Sequence, residues 1–144
     1  MKVSEISEDE WVNRWPQVRL DQFKNIGQME TAQMNALNSL CHDTNQKYGW
    51  THRINSDFRP GDPGEHGKGE ATDIVFFLNK LGDVPILEQF KFTCESNLFR
   101  RVGFYPFWNA PGLHVDIKNQ TLYWYRDKAE IYHYKTDWRE FVIS

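Results

Sequence analysis

Two histidines and two aspartates have the residue types and the spacing of a metal site. The segment FRPGDPGEHGKGEATDIVF, residues 58–76, carries His66 in a loop rich in glycine and proline, and Asp73 follows seven residues later in an apolar run. The segment LHVDIK, residues 113–118, carries His114 and Asp116. Imidazole nitrogens and carboxylate oxygens hold Zn²⁺ in tetrahedral geometry, and three protein ligands leave a fourth position for water. The set therefore suits Zn²⁺, and a three-ligand site would be catalytic.

The two segments must bring these side chains together from a strand and a loop. Alternation along a strand predicts two faces for LHVDIK, with apolar residues on the core and polar residues on the open face. The core face would hold Leu113, Val115 and Ile117, and the open face His114, Asp116 and Lys118.

The seven-residue spacing between His66 and Asp73 fits neither one helical turn nor strict strand alternation. It fits a loop that folds back before a strand begins, so that one ligand comes from the loop and the other from the strand. Gly67 and Gly69 would permit the backbone angles that such a loop requires.

The elements around these segments are predicted from apolar periodicity and turn residues. Residues 30–48 read as a helix that ends at Gly49, and residues 82–99 as a second helix with Pro85 near its start. A last short helix is predicted over residues 136–143. Strands are predicted over residues 51–58, 71–77, 100–105, 112–118, 121–127 and 129–135.

This order of elements predicts an α+β fold, with a mostly antiparallel sheet flanked by helices. A length of 144 residues fits one domain over residues 1–144. Residues 1–28 are the least regular and can be interpreted as an appended N-terminal arm.

Charge and hydropathy exclude several classes of function. The net charge is −3 and the basic residues are scattered, so no nucleic-acid partner is expected. The apolar runs are too short for membrane insertion. The acidic start MKVSEISEDEW lacks the pattern of a Sec-type export signal, so we expect a protein that is cytoplasmic until released, or virion-associated if phage-encoded. We expect a monomer.

The motifs as a set resemble the M15 family of zinc peptidases. The pattern is His66-x-x-Gly69-x-Ala71-x-Asp73 followed by His114-x-Asp116, with SDFRP upstream and VGFYPFWNAPGLHVDI around the second histidine. The family includes D-alanyl-D-alanine carboxypeptidases and phage or bacterial L-alanyl-D-glutamate endopeptidases, and it shares a fold with the Hedgehog signalling domain. The resemblance covers about residues 30–126 and is closest to the subgroup whose last ligand lies in a His-x-Asp strand.

The resemblance implies a role for each matching residue. His66, Asp73 and His114 would be the zinc ligands. Arg59 would contact the carboxylate or carbonyl of the substrate, for which its planar fork of donors is suited, and Ser56 would add a hydrogen bond.

An aromatic cluster near the second histidine has two readings. The simplest reading of its members is core and rim packing, while two of them, Tyr105 and Trp108, would wall the substrate groove beside the metal. The cluster comprises Phe104, Tyr105, Phe107, Trp108 and Trp124.

The sequence departs from the family at the general base. Many members place an acidic residue three positions before the last histidine, where this chain has Pro111. Asp116 is the first alternative, although it could instead orient a ligand histidine through its other ring nitrogen. Glu70 is the second alternative, although alternation points it away from the metal.

Two functions follow from these observations. The first is zinc-dependent hydrolysis of an amide bond in peptidoglycan stem peptides, by a DD-carboxypeptidase or an L-Ala-D-Glu endopeptidase, in which case the chain would suit a phage endolysin. The second is a non-catalytic domain of the same fold, stabilised by zinc, that serves binding or phage structure. The acid missing at position 111 favours the second.

Overall fold

The computed structural model describes residues 1–142. These residues form three α-helices: α1 (Glu8–Arg14), α2 (Thr31–Tyr48) and α3 (Ile86–Ser96). The six strands are β1 (Thr51–Ser56), β2 (Ala71–Phe77), β3 (Arg101–Tyr105), β4 (Gly112–Asp116), β5 (Leu122–Arg126) and β6 (Tyr132–Lys135). Short 3₁₀ helices cover Val3–Glu5, Leu20–Gln22, Ile26–Gln28, Glu65–Lys68 and Trp138–Phe141.

Each of the two longer helices ends at a residue in the left-handed conformation. Helix α2 buries one face through Leu37 and Leu40, and Gly49 ends it in the left-handed conformation with φ 71°. This confirms the helix predicted over residues 30–48. Helix α3 is shorter than the predicted 82–99, because Pro85 precedes its first turn and Asn97 leaves the helix with φ 58°.

The strands form one sheet in the order β1-β2-β4-β3-β5-β6. Every neighbouring pair is antiparallel except β3 and β5, which are parallel. The predicted α+β class with a mostly antiparallel sheet is confirmed. The alternation predicted for LHVDIK is also confirmed for Leu113 and Val115, which are fully buried in the core, while His114 and Asp116 contact each other on the other face.

One row of residues crosses all six strands, and this row carries two of the predicted metal ligands. Each residue of the row pairs with the next across the sheet, from β1 to β6: Ser56, Asp73, His114, Gly103, Trp124 and Tyr134. Paired residues on neighbouring strands point to the same face of a sheet. The metal ligands and the aromatic residues of β5 and β6 therefore share one face.

Residues 1–28 pack into the main core. Val3, Trp15, Val18 and Phe23 are buried in the same cluster as the apolar residues of α2, α3 and the sheet. This burial argues against an appended arm. The segment has no regular periodicity because its buried residues lie in short helical turns and loops, which sequence patterns do not reveal.

The C-terminal part of the chain differs from the predicted helix over residues 136–143. A 3₁₀ helix covers Trp138–Phe141, with the side chain of Asp137 accepting a hydrogen bond from the Arg139 amide, and residue 143 lies outside the described residues. Among the helices of residues 1–142, none combines the length and the apolar character needed to cross a membrane.

Candidate metal centre

The loop between β1 and β2 folds back on itself and places His66 beside the first half of β2. Its 3₁₀ helix Glu65–Lys68 is closed by hydrogen bonds from the Arg59 amide to the His66 carbonyl and from the Glu70 amide to the Glu65 carbonyl. This confirms the predicted fold-back, with His66 in the loop and Asp73 in the strand.

Two of the four glycines of this loop, Gly67 and Gly69, are required for different reasons. Gly69 has φ 73°, the left-handed conformation predicted for it. Gly67 does not have a positive φ, but a Cβ there would overlap the carbonyl of Asp62. Gly67 therefore permits a close approach of two backbone segments rather than an unusual backbone angle.

His66, Asp73 and His114 converge on one small space. Their nearest donor atoms all lie within 4.8 Å of one another. Asp73 Oδ1 lies 3.2 Å from His66 Nε2 and 3.3 Å from His114 Nδ1. Bonds of about 2.0–2.1 Å in tetrahedral geometry separate ligand atoms by about 3.3 Å, so both spacings match one metal ion held by these atoms.

The outer nitrogen of each imidazole is already occupied. His66 Nδ1 lies 2.8 Å from the carbonyl oxygen of Asp57, and His114 Nε2 lies 2.7 Å from Asp116 Oδ2. Both partners are acceptors, so each outer nitrogen carries the hydrogen and donates it. In the neutral form of each ring the inner nitrogen then presents its lone pair to the shared space, as in metal sites whose histidines are oriented by an acceptor behind them.

The second oxygen of Asp73 is held by Arg59. Arg59 Nη2 donates to Asp73 Oδ2 over 2.6 Å, and Arg59 Nε donates to the hydroxyl of Ser56 over 2.9 Å. Asp73 Oδ1 is thereby left facing the two histidines. Ser56 does not line the cleft around the three ligands, so its contact is with Arg59.

Asp116 lies behind His114, and both of its oxygens have partners. The carboxylate is fully buried and receives hydrogen bonds from Arg101 Nε and Nη2 and from the Lys118 amide as well as from His114. It meets the ring nitrogen of His114 that faces away from Asp73. This geometry favours the orienting role that the sequence left open for Asp116 over the role of general base.

Asp73 and His114 each stabilise the charged form of the other. Burial alone would raise the pKa of Asp73, but hydrogen bonds from His114 and His66 lower it well below its usual range. Burial alone would lower the pKa of His114, but its hydrogen bonds to Asp116 and Asp73 raise it. The two buried carboxylates therefore favour positive charge on His114.

A cleft of about 280 Å³ opens over the three ligands. Tyr105 and Trp108, predicted as groove walls, line it as a stacked pair with ring centroids 3.7 Å apart. Arg59 also lines it and is substantially exposed. A larger cavity of about 410 Å³ lies elsewhere in the described structure and none of the three ligands lines it.

Several cleft residues were not predicted as site residues. Trp124 was assigned only to packing, yet its ring lies 5.3 Å from that of His114. Tyr132, Asp62 and Glu65 also line the cleft, whereas Glu70 does not. Strand alternation places Trp124 on the open face once the pairing of β5 is known, but the pairing itself cannot be read from the sequence.

Comparison with known proteins identifies no relative. Neither a protein-family model, nor a curated protein, nor a solved structure matches the chain.

Proposed function

We propose that the protein is a zinc-dependent hydrolase of an amide bond in peptidoglycan stem peptides, with the Hedgehog-like peptidase fold that its motifs resemble. The observation that carries the proposal is the convergence of His66, Asp73 and His114, each with its remaining polar atom engaged by Asp57, Arg59 or Asp116. Three ligands from a loop and two strands, opening into a cleft, are typical of a catalytic rather than a closed structural zinc site.

His66, Asp73 and His114 would hold a zinc ion, which would supply Lewis acidity to polarise a carbonyl group and make water nucleophilic near neutral pH. Other residues of the chain hold the three candidate ligand side chains in position. The Asp57 carbonyl and the Asp116 carboxylate hold the two imidazoles, and Arg59 holds the aspartate, so the three ligand atoms keep their positions when substrate enters.

Arg59 and Tyr105 are the groups placed to bind the reacting carbonyl. Arg59 Nη1 is only weakly engaged, at 3.5 Å from Asp62 Oδ2, and the side chain is accessible from the cleft. The Tyr105 hydroxyl accepts a hydrogen bond from Trp124 Nε1 over 2.8 Å, and as a hydroxyl it can also donate one. Burial raises the pKa of Tyr105, so the hydroxyl stays protonated at neutral pH. Such donors stabilise the negative oxygen that develops during amide hydrolysis.

The proton of the attacking water requires an acceptor other than Asp116. Asp62 and Glu65 are the two carboxylates that line the cleft without being ligands. Glu65 Oε2 is buried and accepts no hydrogen bond, whereas Asp62 Oδ1 is engaged by the Gly64 amide. Asp62→Asn, Glu65→Gln and Glu70→Gln together identify the base: the variant that loses kcat while it retains zinc is the base variant.

The decisive experiment is mass spectrometry of purified muropeptides incubated with the zinc-loaded protein. We expect loss of one alanine, or a split within the stem peptide, and we expect a chelator to abolish it and added zinc to restore it. His66→Ala is the matched loss-of-ligand variant. Cleavage that persists after stringent metal removal, or in His66→Ala, contradicts the proposal.

The second candidate is a binding or phage structural domain in which zinc serves stability. The observation that favours it is that Asp116 is fully engaged and position 111 is proline, so the family's usual base is missing. This candidate predicts that zinc raises the melting temperature while every muropeptide stays intact. The same incubation therefore separates the two functions.

A further inference from the structure

The face of the sheet that carries the candidate metal ligands continues into an aromatic surface whose outer end is exposed. We call the aromatic shelf the group Tyr105, Trp108, Trp124, Tyr132 and Tyr134. Four of its members line the metal cleft, and Tyr134 extends the surface beyond it. Ring centroids are 6.2 Å apart for Tyr105 and Tyr132, and 6.3 Å apart for Trp124 and Tyr134.

The row that crosses the sheet explains why the shelf reaches the metal ligands. Gly103 lies between His114 and Trp124 in this row, and a Cβ at Gly103 would overlap the Trp124 indole. The indole therefore lies flat over β3 in the space that a side chain would otherwise fill. The aromatic surface begins beside His114 and runs to the edge strand without interruption.

The outer end of the shelf is exposed to solvent and is not covered by other parts of the described structure. Tyr132 and Tyr134 are 42% and 56% exposed, although each occupies the sheet face that carries the cleft. Their rings are nearly parallel, with an interplanar angle of 13° and centroids 6.0 Å apart. Arg126 lies over Tyr132 at 5.9 Å, and its buried Nε has no hydrogen-bond partner. Flat rings with hydroxyl and guanidinium groups beside them suit a ligand that has both a flat apolar face and polar substituents.

We propose that the aromatic shelf binds a sugar ring of the glycan strand to which the stem peptide is attached. This inference rests on the proposed function and specifies its substrate as glycan-linked peptide. The side chains of a stem peptide are methyl groups, carboxylates and amines, which offer no flat face to an aromatic ring. A pyranose ring presents a face of C–H groups bordered by hydroxyls, and this is the complement of the shelf.

The length of the shelf separates its outer end from the metal ligands. Three strand spacings separate β4 from β6, or about 14 Å. Extended chain covers at most about 3.3–3.6 Å per residue, so about four residues are needed to join a sugar at the outer end of the shelf to the metal. A sugar at that end therefore suits cleavage several residues along the stem peptide rather than at its first bond.

Two substrates that differ only in the glycan test this inference. We expect kcat/KM to be about tenfold higher for the disaccharide-linked tetrapeptide than for the free tetrapeptide, and we expect Tyr134→Ala to reduce this preference several-fold while Tyr134→Phe retains it. Tyr48→Ala is the matched control, because Tyr48 is a similarly exposed aromatic residue that does not line the cleft, and it should keep the full preference.

A binding measurement separates failure of the shelf from failure of the hydrolase. Titration of the peptide-free disaccharide into the zinc-loaded protein, followed by NMR, should show binding that is weakened by Tyr134→Ala and unchanged by Tyr48→Ala. Such binding supports the shelf even if no muropeptide is cleaved. Equal cleavage of both substrates with no disaccharide binding overturns the shelf while the hydrolase stands. Dependence of free-peptide binding, rather than disaccharide binding, on Tyr134 also overturns it.

Discussion

At the scale of single residues, Asp116 lies behind the candidate ligand His114 and orients its ring. Its carboxylate bridges Arg101 and His114, so the imidazole is fixed in both tautomer and orientation. Burial alone would raise the pKa of Asp116, but hydrogen bonds from His114 and Arg101 lower it, and the group stays ionised at neutral pH. The charge that holds the ligand is therefore constant over the pH range in which a zinc enzyme works.

Asp116→Asn should weaken zinc binding by about 10- to 100-fold, because the amide no longer supplies the negative charge that orients His114. Competition with a chromophoric chelator measures the affinity. Asp127→Asn is a matched control, since Asp127 Oδ2 lies 2.7 Å from His133 Nε2 in a histidine–aspartate pair that does not line the cleft. If Asp116→Asn keeps wild-type zinc affinity but loses all hydrolysis, Asp116 is the general base and the orienting role is wrong.

His52 gives the protein a pH dependence that is independent of the metal. Its Nε2 accepts a hydrogen bond from the Arg19 amide over 3.0 Å, which requires the neutral ring. Burial lowers the pKa of His52 to about 4, with a further contribution from the positive charge of Arg19. The unfolded chain takes up this proton near the ordinary histidine pKa of about 6.5, so stability falls as the pH drops from about 6.5 to about 4.

The loss attributable to His52 should reach about 3 kcal/mol at the acidic end of this window. Urea unfolding in the presence of a chelator, at about pH 7 and about pH 4.5, measures it. His52→Gln keeps an acceptor for the Arg19 amide and cannot take up the proton, so its stability should change less between the two pH values. His42→Gln, at an exposed position, serves as control. An unchanged pH dependence in His52→Gln contradicts the assignment.

At the scale of elements, the loop between β1 and β2 requires a residue without a side chain at position 67. Gly67→Ala places a methyl group against the Asp62 carbonyl, so the 3₁₀ helix that carries His66 must move. We expect a destabilisation of about 1–3 kcal/mol, as for overpacked sites, together with weaker zinc binding. Urea unfolding and zinc competition measure the two effects.

Gly27→Ala is the control for this substitution. Gly27 lies in another 3₁₀ helix, and a Cβ there would make an ordinary contact of 3.5 Å with Ser4 Cβ. Its zinc affinity should equal that of the wild type. If Gly67→Ala also binds zinc normally, the close approach at Gly67 does not position His66.

The sequence predicts the helices and strands better than it predicts which strands pair with each other. Helix α2 and the segments of the six strands follow from periodicity and turn residues, and the candidate ligands follow from motif spacing. The order β1-β2-β4-β3-β5-β6 depends on contacts between distant segments. The role of Trp124 was therefore missed, because it depends on β5 pairing with β3 and on Gly103 opposite the indole.

Hydrogen bonds between distant segments also cannot be predicted from the sequence pattern. The predicted strand over residues 51–58 gives Asp57 no contact with a distant segment. The structure gives it two contacts, since its side chain accepts a hydrogen bond from the Asn25 amide and its carbonyl from His66. A residue that joins two segments 32 positions apart leaves no local signal in the sequence.

At the scale of the whole molecule, the first 30 residues brace the metal loop. Lys2 Nζ donates to the carbonyls of Gln28 and Lys68, the Glu30 amide donates to the Gly69 carbonyl, and the Asn25 amide donates to Asp57. The loop that carries His66 is thereby tied to the N-terminal segment at both of its ends. Folding of the N-terminal segment and formation of the metal site should therefore be coupled.

Trp15 is the residue through which this coupling can be measured. Its ring is 1% exposed and its Nε1 donates to Asn35 Oδ1 over 2.8 Å, so the side chain joins the N-terminal segment to α2. Trp15→Ala should destabilise the domain by about 3–5 kcal/mol, because it leaves a large cavity in the core. Val12→Ala, in the same segment but 62% exposed, should change stability by less than about 0.5 kcal/mol. Urea unfolding with and without zinc provides both measurements, and a Trp15→Ala protein as stable as the wild type would restore the interpretation of residues 1–28 as an appended arm.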